Sequence, residues 1–100
     1  MATWTLTETV QLIALYQRMV DLQSQKLLGP AASRGQQSKA ALVRRFISDH
    51  APDRNKQSVE MKLMNISAAR LAAGLPLVDG YKPLPNGANV LTDLVQEGEV

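Results

Sequence analysis

Six long polar side chains in the middle of the chain have the chemistry to bind a negatively charged surface. They are five bases and one amide, namely Arg44, Arg45, Arg54, Lys56, Lys62 and Asn65. Lysine and arginine contact phosphate or carboxylate groups, and asparagine pairs with the edge of adenine. Residues 34–62 carry seven Lys or Arg against three acids, a net +4, although the whole chain carries only +2. The pattern predicts a basic contact surface for nucleic acid or an acidic protein, with a merely solvated basic face as the alternative.

Residue patterns typical of catalysis are absent from the sequence. His50 is the only histidine, and the chain has no cysteine. A lone histidine at the end of a helix is more often a helix-end charge than a catalyst. The H-E-x-x-H, P-loop, G-x-S-x-G and dinucleotide fingerprints are all missing. Asp53 and Glu60, which flank two lysines, have a spacing too generic to indicate a metal-dependent nuclease. We therefore expect no enzyme, no catalytic residue, no metal and no cofactor.

The composition is that of an ordinary globular domain. Apolar residues make up 45% of the 100 residues and charged residues 20%, which predicts a single domain over residues 1–100 with a modest core. No basic segment followed by an apolar run opens the chain, and no stretch approaches 18 apolar residues. We expect a cytoplasmic monomer with no secretory signal and no membrane partner.

Local signals predict two helices in the first half of the chain. Thr5 and Glu8 have the spacing of a capping box, and apolar residues then recur at helical spacing over about residues 6–25. A second apolar stripe predicts a helix over residues 39–50. Pro52 stops this helix, because the residue before a proline disfavours helical geometry.

A third helix follows the charged loop at residues 53–57 and runs to residue 73, with Gly74 as its C-terminal cap. Its apolar residues divide into two nearly opposite stripes, which predicts that the helix is clamped between neighbours on both sides. The first stripe is Val59, Leu63 and Ile66, and the second is Met61, Met64, Ala68 and Leu71. The polar residues form two narrow edges, one with Glu60 and Ser67 and the other with Lys62, Asn65 and Ala69.

Proline and glycine change the character of the chain after residue 74. Residues 75–87 contain three prolines and two turn dipeptides, which predicts an extended arm lying across the helices. Residues 89–95 could form a short fourth helix. The predicted fold is all-α: a three-helix, Myb-like or helix-turn-helix-like bundle with a helical core over residues 4–74 and a proline-rich arm and tail over residues 75–100.

Three short helices with a basic turn before the third form the plan of helix-turn-helix domains. The residues that resemble the W-T-x-x-E…L…Y opening of Myb-like domains are Trp4, Thr5, Glu8, Leu12 and Tyr16. In this arrangement the third helix enters the major groove, so that Arg54 and Lys56 would contact phosphates while Lys62 and Asn65 would reach base edges. Alternatively, Asn65 bonds the backbone of the proline-rich arm and Lys62 is solvated.

Three separated motifs also resemble a small N-terminal domain that precedes the nuclease in some bacterial restriction-type HNH proteins. They are RNKQSVEMKLMNIS at residues 54–67, GLP at residues 74–76 and GYKP at residues 80–83. The resemblance covers about residues 4–85 and implies contact with DNA. This sequence departs from the pattern because no nuclease segment follows the motifs.

The chain as a whole resembles phage anti-CRISPR proteins that act on the type I-F surveillance complex. This resemblance implies a non-enzymatic inhibitor in the bacterial host cell that binds the guide-loaded complex and stops target DNA from hybridising. The six polar residues named first are then the candidate contact surface. One alternative is a sequence-specific or modified-DNA-binding module, or a transcriptional regulator, that uses the same surface on double-stranded DNA. A plain interaction domain without a nucleic-acid link is a third possibility.

Overall fold

Three α-helices make up most of the chain that the structure describes. A computed structural model describes residues 4–29 and 35–84. Helix α1 spans Leu6–Ser24, α2 spans Lys39–His50 and α3 spans Lys56–Ala72. The only β pairing found in these two ranges is an isolated parallel bridge between Leu28 and Gln37. The all-α prediction is confirmed, with helix bounds within a few residues of those expected. The predicted fourth helix at residues 89–95 lies outside the described residues.

Side-chain caps begin all three helices. The Thr5 hydroxyl accepts a hydrogen bond from the backbone N–H of Glu8 at 3.0 Å, and the Glu8 carboxylate accepts one from the backbone N–H of Thr5 at 2.9 Å. The predicted capping box is therefore confirmed. Ser38 and Asn55 cap α2 and α3, each accepting from the backbone N–H three residues later. These caps satisfy N–H groups that the first turn of a helix leaves without intrahelical partners.

The end of α3 turns the chain back towards the bundle. Gly74 has a φ of +74°, a conformation that glycine adopts without steric cost. The backbone N–H of Leu75 donates to the carbonyl of Arg70 at 2.9 Å, and that of Gly74 donates to Leu71 at 3.1 Å. This pair of bonds is the Schellman motif, so the prediction of Gly74 as the cap is confirmed.

Helix α3 is buried on one face near its start and all round further along, where the five consecutive residues 66–70 are buried. Val59, Leu63 and Ile66 are fully buried in the core shared with α1 and α2. Met61 is 49% exposed and Leu71 is 59% exposed. The prediction of a helix clamped on both sides is therefore wrong for these two residues. It is right for Ala68, which is buried, and Met64 is partly buried against the core.

The two predicted polar edges of α3 also need correction. Ser67 and Ala69 are completely buried, although the sequence pattern assigned each to an edge open to solvent or to a partner. Arg70 is buried as well, with 1% of its surface exposed. The buried face is thus wider than the apolar residues alone indicated, because it contains a serine and an arginine with partners inside the fold.

A buried tyrosine connects α1, α3 and the arm. The Tyr16 hydroxyl lies 2.7 Å from the Ser67 hydroxyl and accepts a hydrogen bond from the backbone N–H of Val78 at 2.9 Å. The guanidinium of Arg70 lies 5.2 Å from the centre of the Tyr16 ring. Its Nε donates to the carbonyl oxygen of Pro76 at 2.7 Å. Buried polar groups require such partners, so the arm supplies part of what the core needs.

Further contacts fix the arm between α1 and the start of α2. The Gln23 side chain donates to the carbonyl of Leu77 at 3.0 Å and accepts from the backbone N–H of Asp79 at 2.7 Å. The Lys39 ammonium donates to the carbonyl of Asp79 at 2.6 Å and lies 4.9 Å from the centre of the Tyr81 ring. The predicted extended arm is confirmed over the described residues 75–84.

The Tyr16 hydroxyl can be tested by its removal. We expect Tyr16→Phe to lower the free energy of unfolding by roughly 1–3 kcal/mol, because the ring still fills the core while Val78 N–H loses its acceptor. Urea unfolding followed by circular dichroism measures the change. Tyr81→Phe is the matched control, since the described residues offer the Tyr81 hydroxyl no hydrogen-bond partner and its removal should cost little. Equal losses in the two variants would contradict the role of the Tyr16 hydroxyl.

Candidate functional site

The chain entry meets the turn between α2 and α3 at a stack of aromatic and cationic groups. The Trp4 ring lies 6.4 Å from the Phe46 ring, centre to centre, with 23° between their planes. The guanidinium of Arg54 lies 4.0 Å from the centre of the Trp4 ring. Contacts of this kind are electrostatically favourable because the ring face is negative. The stack brings the first helix and the basic turn together.

Arg54 is bound inside the protein rather than presented to solvent. Its Nε donates to Oε2 of Glu8 and its Nη2 to Oε1, each at 3.1 Å. The Arg54 side chain is 8% exposed and the Glu8 side chain 18%. Such a two-point pair is strong and geometrically specific. Its guanidinium thus neutralises a carboxylate and covers an aromatic ring within the fold, and the expected contact of Arg54 with phosphates stays a prediction.

The pair changes the titration of Glu8. The hydrogen bond from Arg54 lowers the pKa of the Glu8 carboxyl from 4.5 to about 2, and the bond from the Thr5 backbone adds to the effect. Both bonds favour the charged form of the carboxylate. One acidic side chain thus serves the α1 cap and the α2–α3 turn together.

A surface groove runs from this stack along the outer side of α3. We call it the Trp4 groove; it has a volume of about 450 Å³ and is lined by Trp4, Arg54, Asn55, Gln57, Ser58, Met61, Lys62 and Asn65. Three of the six sequence-predicted site residues, Arg54, Lys62 and Asn65, therefore meet in one place. The exposed side chain of Met61 adds an apolar surface beside them.

Lys62 and Asn65 occupy this groove differently. The Lys62 ammonium lies 5.7 Å from the centre of the Trp4 ring and is partly buried. Burial, and then repulsion from Arg54, lower the pKa of Lys62. Asn65 donates from Nδ2 to the carbonyl of Leu84 at 2.8 Å, and the backbone N–H of Leu84 donates to the carbonyl of Met64. Of the two alternatives for Asn65, the structure has the bond to the arm.

The other three predicted bases lie on exposed helical surface. Arg45 lines a separate groove between α1 and α2, and its Nε is 3.6 Å from the Asp49 carboxylate. Arg44, its neighbour in sequence, is exposed. Lys56 begins α3 with its ammonium 3.7 Å from the Glu60 carboxylate. Three of the six residues are therefore outside the Trp4 groove. Arg45 and Lys56 have ion pairs of the exposed kind, which contribute only about 0–1 kcal/mol.

Sequence reasoning missed two charged residues that organise the site. Arg70 was not singled out, although it lies 11 residues after Val59, about three helical turns, and so shares the buried face of α3. The helical period could have found it. Glu8 was recognised only as a capping residue. Its second partner, Arg54, is 46 residues away in sequence, and no local pattern indicates that pairing.

The described part of the chain contains neither a metal-binding cluster nor a membrane-spanning helix. Across residues 4–29 and 35–84, no group of three or more His, Cys, Asp or Glu side chains could hold a metal ion. Nor does any helix in those ranges have the length and apolarity needed to cross a membrane.

No protein-family model matches the chain, and no curated protein or solved structure is significantly similar to it.

The pair between Glu8 and Arg54 predicts a pH-dependent stability difference. Glu8→Gln keeps a capping-box acceptor but removes the charge, so we expect it to cost at most roughly 1.5–3 kcal/mol of unfolding free energy at pH 7. Because the folded pKa of Glu8, about 2, lies below its usual 4.5, the stabilisation is present above pH 4.5 and disappears as the pH falls towards 2. Urea unfolding of both proteins from pH 7 to pH 2 measures this difference.

Glu60→Gln is the matched control for that series, because Glu60 pairs with Lys56 on an exposed surface. It should change the unfolding free energy by less than about 1 kcal/mol at pH 7. The difference in unfolding free energy between wild type and Glu8→Gln could also stay constant down to pH 2. That result would mean that the shape of the Glu8 side chain, and not its charge, accounts for the effect.

Proposed function

We propose that this protein is a non-enzymatic phage inhibitor that binds the guide-loaded type I-F CRISPR–Cas surveillance complex and sterically blocks hybridisation of target DNA. The observation that carries this proposal, against direct reading of DNA, is that polar side chains on α3 and on the turn before it are hydrogen-bonded within the fold. Asn65 is bonded to Leu84 and Arg54 to Glu8. A recognition helix needs such groups free to reach base edges and phosphates. Here they stabilise the fold instead, which favours a protein complex as the target.

The exposed bases support binding to a charged surface of that complex. Arg44 is exposed, and Arg45 has only a weak surface pair with Asp49. Exchanging such a pair for a partner's carboxylate or phosphate costs little, since exposed ion pairs contribute about 0–1 kcal/mol. Charges of this kind speed association and select the partner.

Steric occupation needs only a rigid body and a complementary surface, so the mechanism requires neither a catalytic group nor a cofactor. We propose that the inhibitor acts as a monomer in the host cytoplasm.

A gel shift of target duplex tests the proposal. The guide-loaded type I-F complex is incubated with and without this protein at moderate salt, and the protein alone is run beside it. We expect the complex to lose its shift while the protein alone moves no DNA. A complex that keeps its shift at saturating protein would overturn the proposal.

Charge reversal on α2 tests the exposed bases. We expect the double variant Arg44→Glu, Arg45→Glu to need about tenfold more protein for the same inhibition, equivalent to about 1.4 kcal/mol of binding free energy. Lys26→Glu is the control, because Lys26 is an exposed base beyond the end of α1. Circular dichroism checks that each variant folds. Equal loss in the control would indicate dependence on net charge rather than on this surface.

A duplex-binding module is the second candidate, favoured by the exposed Lys56 at the start of α3 and the partly exposed Lys62 six residues later. Salt separates the two functions. A protein that neutralises several phosphates loses orders of magnitude in affinity between 50 and 200 mM salt, whereas inhibition through a packed protein interface depends on a few anchor residues. A steep salt dependence of duplex binding by the protein alone would favour this candidate.

A further inference from the structure

Four cationic side chains lie over aromatic rings in the part of the chain that the structure describes, and one of them differs from the rest. Three have an acceptor within the fold: Lys39 bonds the carbonyl of Asp79, Arg70 bonds that of Pro76, and Arg54 bonds the Glu8 carboxylate. Lys62 is the fourth, over the Trp4 ring. Within residues 4–29 and 35–84, neither a carboxylate nor another hydrogen-bond acceptor pairs with its ammonium.

The surroundings make this position costly for a cation. Lys62 is partly buried, and the positive guanidinium of Arg54 packs on the same Trp4 ring. Burial and this repulsion both lower the pKa of Lys62, so the charged form is disfavoured. A carboxylate brought into the groove would reverse both effects, since it compensates the lost hydration and screens the neighbouring charge.

An apolar surface lines the same groove as the Lys62 ammonium. Met61 is 49% exposed although it sits on the same helix as the fully buried core residues. Methionine adapts its shape to irregular partner surfaces and is enriched where proteins bind one another. Trp4 extends the apolar lining on the far side of the groove. The groove therefore combines an adaptable apolar patch with Lys62, while its other cation, Arg54, is paired with Glu8.

We propose that the Trp4 groove binds an acidic protein segment, with a carboxylate on the Lys62 ammonium and a neighbouring apolar side chain against Met61. The inference rests on the proposed function: the segment would belong to a protein subunit of the surveillance complex, and not to its guide RNA or to the target DNA. It assigns the Trp4 groove a role as a protein anchor.

The chemistry of the groove favours a carboxylate-bearing protein over a phosphate backbone. A nucleic-acid strand requires several cations along its path, whereas the second cation of this groove, Arg54, already neutralises Glu8. Phosphates passing Met61 would also leave its apolar surface against strongly hydrated groups. An acidic segment with interspersed apolar residues complements both the charge and the apolar surface. The first turn of α3, part of which lines the groove, contains no acidic side chain to repel it.

Photocrosslinking with a matched control tests the occupant. p-Benzoylphenylalanine replaces Met61 in one full-length variant and Leu71 in another; both positions are exposed on α3. Each variant is irradiated with the guide-loaded type I-F complex, and wild-type binding is measured in parallel. We expect a crosslink from position 61 to a protein subunit, at a peptide rich in Asp or Glu, and at least fivefold less from position 71.

Several results would overturn the inference. They are a crosslink from position 61 to the guide RNA, a crosslink to a second copy of this chain, or no crosslink from position 61 while wild-type protein binds the complex. The last outcome leaves the proposed function intact, so the two failures are distinguishable. Absence of wild-type binding would overturn the proposed function and this inference with it.

Substitution of the cation gives an independent measurement. We expect Lys62→Glu to weaken binding to the complex about tenfold or more, and Lys62→Met to weaken it less because the apolar stem is kept. Lys82→Glu, an exposed base on the arm, should change the affinity less than twofold. Thermal unfolding should find Lys62→Met at least as stable as wild type, since the variant removes a partly buried charge. Unchanged affinity of Lys62→Glu would contradict the carboxylate contact.

Discussion

Burial of Arg70 in the helical core constrains the rest of the structure more than any other single feature. A guanidinium cannot be deprotonated in a protein, so it must find acceptors wherever it is buried. One acceptor is the carbonyl of Pro76, only six residues later, and the ring of Tyr16 covers the guanidinium. The chain beyond α3 must therefore turn back at Gly74 and lie against the core. The arm is thus a part of the fold and not an appendage.

That constraint determines what surface α3 offers. Once the arm follows the core as far as Leu84, it meets Asn65 and Met64 and covers one part of the helix's outer side. The part nearer the start of α3 stays open, and there the groove with Met61 and Lys62 forms. The same sequence that suggests a recognition helix thus yields a helix with a covered half and an open half. Under the function proposed above, this open half is the part of α3 that contacts a protein segment.

Local sequence signals predicted the fold better than the site. The Thr5 capping box and the Gly74 cap act within a few residues, so their outcome depends little on the remainder of the chain. The exposure of Met61 depends on where the neighbouring elements pack against α3. Helical periodicity carries no information about that packing. The pairing of Glu8 with Arg54 likewise joins segments 46 residues apart. Arg70 is the exception, because its spacing from Val59 already indicated burial.

Formal charge is therefore a poor guide to the charge that is available for binding. The net +4 of residues 34–62 counts Arg54 and Lys39, whose hydrogen bonds lie within the fold. It counts Lys62 with the same weight, although this ammonium has no acceptor in the described residues. Burial and the charge of Arg54 lower the pKa of Lys62. A charge that the fold satisfies has little left to gain from a partner. A partly buried cation without an acceptor gains the most from a partner's carboxylate. One lysine can therefore contribute more to recognition than the whole basic segment around it.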